Sequence, residues 1–150
     1  MEILATLVFV AVLYLFIIKP IVSGYRQGRH GKQPRRTKQP DGFNVEVVGE
    51  ASYQVNLLEI CGAKQRDGVE KLVFAELVPE DDNQHDKMAV RVDVDGKTVG
   101  YLSRPDARSY RDQYDDDQTR CAAVIVGGWD RGNGDTGHFG VRLSLSLEPS

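Results

Sequence analysis

The sequence has few of the residues that build metal sites, disulfide scaffolds or covalent catalytic centres. It contains only two cysteines, Cys61 and Cys121, and three histidines among its 150 residues. Two cysteines are too few for a disulfide framework or a four-cysteine zinc site. His30, His85 and His138 show no metal-ligand spacing with cysteine or with each other. We therefore predict that both cysteines are small, buried and unreactive side chains, and that the protein has no cofactor.

Common catalytic and nucleotide-binding motifs are also missing. The glycine-rich stretch GGWDRGNGDTGHFG lacks the Lys-Ser/Thr of a P-loop, and it joins two predicted strands instead of opening a helix. This pattern is typical of a flexible loop. The acidic run DQYDDDQ could bind a cation weakly, which would leave a hydrolase open, or it could be a solvated helix end. We favour the helix end and predict that the protein is not an enzyme.

One long apolar run lies near the N-terminus. Residues 3–22, ILATLVFVAVLYLFIIKPIV, are interrupted only by Thr6, Lys19 and Pro20. Twenty helical residues reach about 30 Å, the thickness of the hydrocarbon core of a bilayer. A signal peptide would need positive residues before the run and a cleavage site after it, and a buried core helix would be shorter and have a polar face. We therefore predict a transmembrane anchor over residues 1–22.

The anchor is followed by a predicted basic linker, residues 23–42. It has four glycines, two prolines and no hydrophobic periodicity from residue 24 onward. Positive flanks stay on the cytoplasmic side, so we predict a single-pass membrane protein with its N-terminus outside and its soluble domain in the cytoplasm. The linker cations are predicted to attract anionic lipid headgroups, with nucleic acid as the alternative partner. These cations are Arg26, Arg29, Lys32, Arg35, Arg36 and Lys38.

Charge is distributed unevenly along the chain. Residues 1–40 carry seven Lys/Arg and one acid, a net charge of +6, whereas residues 41–150 carry 12 Lys/Arg and 21 acids, a net charge of −9. Binding to phosphate is largely electrostatic, so an acidic domain weakens it. The alternative function is therefore a protein-interaction adaptor, in which the acidic segment 112–117 meets a basic partner.

The pattern after Gly42 predicts a small β domain. Asp95-Gly96 is a favoured dipeptide for a tight hairpin turn, Gly62 is placed to end a helix, and Pro105 suits the first turn of another. We predict a mainly β fold over residues 43–148, preceded by the transmembrane helix. The fold is a small antiparallel barrel, OB-like or SH3-like, with two short helices. The predicted strands are FNVEVVG, VEKLVFAELV, AVRVDV, KTVGYL, CAAVIVGGW and FGVRLSLSLE, and the predicted helices are YQVNLLEICG and RPDARSYRDQY.

Two stretches carry a family resemblance. VVGEASYQ is followed by LVPEDDNQHDKMAVRVDVDGKTVGYLSR. Together they contain a Gly-Glu-x-x-Tyr entry, an acidic turn ending in His-Asp, an Ala-Val-x-Val strand and a Gly-Tyr-Leu-x-Arg return. In this order they resemble the HIRAN domain family over about residues 43–147. The resemblance implies a modified OB-like barrel that recognises single-stranded DNA, particularly a free 3′ end, in a pocket at the barrel mouth.

The resemblance also implies roles for individual side chains. Asp86 would accept a hydrogen bond from the terminal 3′-hydroxyl and repel a phosphate in its place. Arg104 would meet a backbone phosphate, and Asn83 would shape the turn. Aromatic surface for stacking bases would come from Tyr53, His85 and Tyr101. Ala51 and Ser52 stand where a DNA-binding member of the family has Arg and Tyr.

Overall fold

The computed structural model of the chain describes residues 35–37 and 42–148, which belong to one compact unit, 34–150. The predicted anchor, residues 1–22, lies outside these described residues. Within the described ranges, no helix is long and apolar enough to cross a membrane.

Seven strands, two α-helices and one 3₁₀ turn make up the described fold. The strands are β1 Arg35–Arg36, β2 Val45–Val48, β3 Val69–Pro79, β4 Val90–Val94, β5 Lys97–Leu102, β6 Thr119–Gly127 and β7 Phe139–Leu143. The helices are α1 Gln54–Cys61 and α2 Arg104–Tyr114, and the 3₁₀ turn Glu50–Tyr53 leads directly into α1.

Six of the strands close into an antiparallel barrel. The order around the barrel is β6-β3-β4-β5-β2-β7, and β7 pairs with β6 to complete the ring. Closure pairs both sides of each strand and lets one face of every strand point into a common core. The predicted mainly β fold, a small antiparallel barrel with two short helices, is confirmed.

Alternation along the strands fills the core. Val90, Val92 and Val94 on β4 are completely buried, as their spacing predicts. Val141 and Leu143 on β7 are also buried and alternate with more exposed residues in the same way. Among the described residues, the core also includes Val45, Val47, Leu57, Ala75, Leu77, Val99, Leu102, Ala107, Tyr110, Cys121, Ala123, Ile125, Phe139 and Leu145.

Local signals at turns and caps also have the predicted geometry. Asp95 and Gly96 both have positive φ, 50° and 74°, which is the backbone of a tight two-residue hairpin turn between β4 and β5. Helix α1 ends before Gly62, whose φ is 84°. Helix α2 has Pro105 in its first turn and is capped by the Ser103 hydroxyl, which accepts a hydrogen bond from the Asp106 backbone N–H at 3.3 Å.

The start of β2 differs from the sequence pattern. Phe43 lies outside β2 and is 36% exposed, although the alternation groups it with Val45 and Val47. The Asn44 backbone N–H still donates to the Leu143 carbonyl oxygen at 3.0 Å, and the Asn44 side-chain amide exchanges two hydrogen bonds with the Leu145 backbone, at 2.9 and 3.2 Å. Asn44 therefore continues the contact with the β7 side of the barrel just before β2, while the Phe43 side chain stays partly exposed.

The first strand lies within the predicted linker. Arg35 and Arg36 pair in parallel with Thr119 and Arg120 at the start of β6. Both arginine side chains are exposed. Arg35 and Arg36 are the two members of the predicted lipid-binding set that belong to the described residues. The other four, Arg26, Arg29, Lys32 and Lys38, lie outside the described residues.

Candidate nucleic-acid interface

All six predicted site residues line one cavity of about 340 Å³. The cavity, called the end pocket below, lies where the 3₁₀ turn, the connection from β3 to β4, the end of β5 and the start of α2 meet. Its lining consists of Tyr53, Asn83, His85, Asp86, Tyr101 and Arg104, completed by Ala89, Leu102 and Ala107. Residues up to 51 positions apart in the sequence are therefore brought together as the motif resemblance implies.

Asn83 organises the acidic connection between β3 and β4. Its side-chain oxygen accepts hydrogen bonds from the backbone N–H groups of His85 and Asp86, at 2.9 and 3.2 Å. Its amide nitrogen donates to the Glu80 carboxylate at 2.8 Å. An Asn that bonds the backbone two and three residues on is a standard way to hold a turn. This geometry is what the predicted turn-shaping role requires.

Glu80 connects that turn to the barrel wall. Its carboxylate forms an ion pair with Arg91 on β4, and the Arg91 Nε atom also donates to Asp93 at 2.9 Å. The hydrogen bonds to Asp93, together with the Glu80 contact, raise the pKa of Arg91. Arg91 therefore stays positively charged and ties Glu80, and through it Asn83, to a rigid strand.

The Asp86 carboxylate has one oxygen held by the turn and the other directed towards a cation. Oδ1 accepts a hydrogen bond from the Met88 backbone N–H at 2.9 Å. Oδ2 lies 3.7 Å from Arg104 Nε, while the Asp86 side chain is only 20% exposed and the Arg104 side chain is 75% exposed. The pair combines a fixed, partly buried acceptor with an arginine that can move towards solvent.

Tyr53 and Tyr101 form an aromatic wall of the end pocket. Their ring centroids are 6.3 Å apart and their planes are inclined by 48°. Burial raises the pKa of the Tyr101 hydroxyl to about 12, and the Tyr53 hydroxyl and the Glu80 carboxylate add to the rise. The Tyr101 hydroxyl therefore stays neutral at physiological pH, and the two rings form a flat aromatic surface on this side of the pocket.

Tyr53 is positioned by its sequence neighbours. Gln54 exchanges two hydrogen bonds with the Phe139 backbone on β7, each 2.9 Å long, and Glu50 accepts one from the Val141 N–H at 3.4 Å. Glu50 and Gln54 thus fasten the 3₁₀ turn and the start of α1 to the barrel. The Gly-Glu-x-x-Tyr entry orients Tyr53 through bonds to a strand more than 80 residues away.

Gly100 allows the close approach that places Tyr101. Its φ is +155°, and a Cβ atom there would lie 2.4 Å from Val47 Cγ1 and 2.6 Å from the Val48 carbonyl oxygen. No larger side chain fits this contact between β5 and β2 without moving the backbone. The close packing of β5 on β2 therefore requires a glycine at this position of the Gly-Tyr-Leu-x-Arg return.

The comparison with protein-family models agrees with this geometry. The HIRAN domain model matches residues 25–136, about three quarters of the chain. The chain belongs to the HIRAN domain family. The match starts inside the predicted linker and ends before β7. Comparisons with curated proteins and with solved structures find no match.

Arg111 holds the end pocket of this HIRAN domain in place, and the sequence analysis missed it. Its side chain is 5% exposed, donates to the Lys87 and Ala89 carbonyls at 3.1 and 3.3 Å, and pairs with Asp81 and Asp116. Burial alone would lower the pKa of Arg111, but hydrogen bonds to the two carboxylates outweigh it and raise the pKa. A buried guanidinium thus joins α2 to the turn that carries Asp86.

The acidic segment of the HIRAN domain is partly used inside the structure. Asp116 pairs with Arg111, and the Asp117 carbonyl accepts a hydrogen bond from the Tyr110 hydroxyl at 2.9 Å. Within the described residues, no group of three or more His, Cys, Asp or Glu side chains is arranged to hold a metal ion. Asp112 lies in the last turn of α2, and Asp115, Asp116 and Asp117 follow directly after the helix, in agreement with the interpretation as a helix end.

Of the two cysteines in the domain, one is fully in the core. Cys121 is 3% exposed, and burial raises the pKa of its thiol to about 12. Cys61 is half-buried at the end of α1, and burial raises its pKa as well, against an opposing effect of Lys71. A thiol with a raised pKa is a poor nucleophile at neutral pH.

Proposed function

We propose that this protein is a binding module that holds the free 3′ end of single-stranded DNA in the end pocket. The observation that carries the proposal is the assembly of one carboxylate, one exposed arginine and two neighbouring tyrosines around a single cavity. Membership of the HIRAN domain family supports nucleic acid as the ligand class. No step in this function requires a bond to be broken.

The Asp86–Arg104 pair supplies the selectivity in this proposal. A terminal 3′-hydroxyl donates a hydrogen bond to the Asp86 carboxylate, whereas a 3′-phosphate would meet it as a second negative charge. Arg104, 3.7 Å from Asp86, binds the phosphate that precedes the terminal sugar. One nucleotide end can therefore satisfy both the anionic and the cationic side chain.

The aromatic wall supplies affinity that does not depend on base identity. Stacking on an aromatic side chain contributes about 1–3 kcal/mol per base, and every base has a flat face. Tyr53 and Tyr101 are inclined to each other, so they contact a base from two directions instead of sandwiching it. His85, which also lines the pocket, adds a third ring. We expect a preference for chain ends over particular sequences.

A comparison of end groups tests the proposal. The 150-residue chain, kept in mild detergent, is titrated at low salt into 5′-labelled oligonucleotides that end in a 3′-hydroxyl or a 3′-phosphate. A hydrogen bond to a charged group contributes about 1.5–3 kcal/mol, so we expect tighter binding of the hydroxyl end by roughly tenfold or more. Asp86→Asn should remove this preference.

Asp82→Asn is the matched control for the end-group comparison. Asp82 is an exposed acid on the same turn and does not line the end pocket. It should keep the preference for the hydroxyl end. Equal binding of the two ends by the unmodified chain would contradict end recognition, and absence of binding to both would favour the protein-interaction adaptor.

We also propose that residues 1–22 tether the domain to a membrane, with the basic linker next to anionic headgroups on the cytoplasmic side. The apolar run of residues 3–22 and the positive residues after it support this proposal. The chain should resist extraction from membranes at alkaline pH, and a chain beginning at residue 23 should be released. Extraction of both would contradict the tether.

A further inference from the structure

A second and larger cavity, about 660 Å³, lies beside the end pocket and shares Arg104 with it. One wall is the N-terminal half of α2. The other wall is the segment after β7, which contributes Leu147 and Glu148. This cavity is called the outer groove below. Because one arginine belongs to both linings, a chain that leaves the end pocket past Arg104 enters the outer groove directly.

Arg108 gives the outer groove a second cation. It lies one helical turn after Arg104 on the same face of α2. Its Nη1 atom donates a hydrogen bond to the Arg104 carbonyl oxygen at 2.9 Å, which holds the guanidinium over the first turn of the helix. The Arg108 side chain is exposed and lines the groove, and a guanidinium fork matches the geometry of phosphate oxygens.

The opposite wall is held in place although it is not a strand. The Glu148 backbone N–H donates to the Gln113 side-chain oxygen at 3.2 Å, which links the segment to α2. Two hydrogen bonds between Asn44 and Leu145 fix the segment to the start of β2. Leu147 packs against the core with part of its side chain and leaves the rest in the groove. This wall is therefore held in place by hydrogen bonds, and Leu147 gives it an apolar patch.

The two acids of the outer groove act differently. The Asp106 carboxylate accepts a hydrogen bond from the Ser103 hydroxyl and belongs to the cap of α2. Glu148 lies on the far wall, where its carboxylate opposes the approach of any anion. The groove therefore has the cation Arg104 on the side that it shares with the end pocket, and the acid Glu148 on the wall after β7.

We propose that the outer groove holds the nucleotides that precede the last two, with the second phosphodiester from the 3′ end on Arg108 and a base against Leu147. The inference rests on the proposed function, because it extends the same strand. Continuity with the end pocket favours this occupant, since a strand anchored by its 3′ end must leave over Arg104. The alternation of cation and apolar surface suits a single strand, which presents phosphate and base in turn.

Ligand length separates this proposal from the function on which it rests. Unlabelled dinucleotides and hexanucleotides with 3′-hydroxyl ends compete with a labelled strand for the 150-residue chain in detergent. The dinucleotide reaches only the end pocket, and the hexanucleotide also reaches the outer groove. Arg108→Ala should weaken the hexanucleotide roughly three- to fivefold, which corresponds to one exposed charge pair, and should leave the dinucleotide unchanged.

Two further variants complete the design. Arg66→Ala removes the same charge from an exposed position on the loop between α1 and β3, and it should change neither ligand. Glu148→Gln should strengthen hexanucleotide binding, a gain that damage to the fold would not produce. Loss of one phosphate contact should also lower the salt slope of log K for the hexanucleotide by about 0.7 in Arg108→Ala.

The outcomes are distinguishable. If neither oligonucleotide binds, the proposed function fails. If both bind and Arg108→Ala affects neither, or affects both equally, the end pocket stands and the outer groove is refuted as the path of the strand.

Discussion

Replacing Arg111 by Met tests whether the buried guanidinium holds the end pocket together. Arg111 makes four contacts: two to the exposed carboxylates of Asp81 and Asp116, and two to the carbonyls of Lys87 and Ala89. Met keeps most of the volume and loses all four. The substitution therefore separates the polar contacts of Arg111 from its packing.

The expected change in the free energy of unfolding depends on how each hydrogen-bond partner of Arg111 is satisfied after the substitution. The Asp81 and Asp116 side chains are 74% and 72% exposed, so water replaces the arginine at little cost. The two carbonyl contacts are hydrogen bonds to a charged donor, each contributing about 1.5–3 kcal/mol. Arg111 Nε is buried without a hydrogen-bond partner, and removing it recovers about 1–3 kcal/mol. We expect the free energy of unfolding to fall by about 2–3 kcal/mol.

Two measurements on the same samples check this reasoning. Urea denaturation followed by circular dichroism gives the free energy of unfolding, with Arg66→Met, an exposed arginine on the loop between α1 and β3, as the control that should stay within about 0.5 kcal/mol. Binding of a 3′-hydroxyl oligonucleotide reports on the turn that carries Asp86 and should weaken in Arg111→Met. A loss of stability below about 1 kcal/mol together with unchanged binding would refute the role assigned to Arg111.

Two other predictions concern the barrel itself. Gly100→Ala should lower the free energy of unfolding by more than about 2 kcal/mol, because a Cβ atom would overlap Val47 and the β2 backbone; urea denaturation measures this, and an unchanged midpoint would contradict the close approach. The thiol of Cys121 and the hydroxyl of Tyr101 have their pKa values raised to about 12 from ordinary values of 9.0 and 10.0. Their contribution to stability is complete below those ordinary values and is lost as the pH rises to about 12. The loss is at most about 1.4 kcal/mol per pH unit for the buried Cys121 and smaller for Tyr101, which is only partly buried. Denaturation midpoints at pH 8 and pH 11 measure the loss, and a midpoint that does not fall would contradict the burial of both groups.

The strands of the barrel were predictable because local patterns and tertiary structure agree. Val90, Val92 and Val94 alternate with polar residues, and the Asp95-Gly96 turn has a backbone that few other dipeptides adopt. These signals act over a few residues and need no knowledge of the rest of the fold. The bounds of α2 were predictable for the same reason, since the Ser103 cap and Pro105 are next to the helix.

The candidate site was predictable in part, through its motifs. The acidic turn and the Gly-Tyr-Leu-x-Arg return lie close together in the sequence, so a family resemblance could place Asp86 and Arg104 at one site. The supports of that site come from further away. Arg111 reaches back 30 residues to Asp81, and Gln54 bonds with Phe139 across 85 residues. Such contacts depend on how the barrel closes, which no local pattern encodes.

The wall of the outer groove that follows β7 was also not predictable from the local sequence pattern. Alternation of Val141, Leu143, Leu145 and Leu147 predicts a strand that continues to residue 147, whereas β7 ends at Leu143. The remaining segment leaves the sheet and lies along α2, so Leu147 faces a cavity with part of its side chain. Periodicity identifies apolar positions but does not tell a strand from an extended segment that follows one.

The short distance between Asp86 and Arg104 has a consequence for how tightly any anion could be held. The two side chains already attract each other across 3.7 Å. An incoming phosphate must compete with the carboxylate for the same guanidinium, so its net gain is the difference between two attractions and not the full strength of one. Occupancy should consequently be brief and readily reversed, so that the domain can exchange one anionic ligand for another.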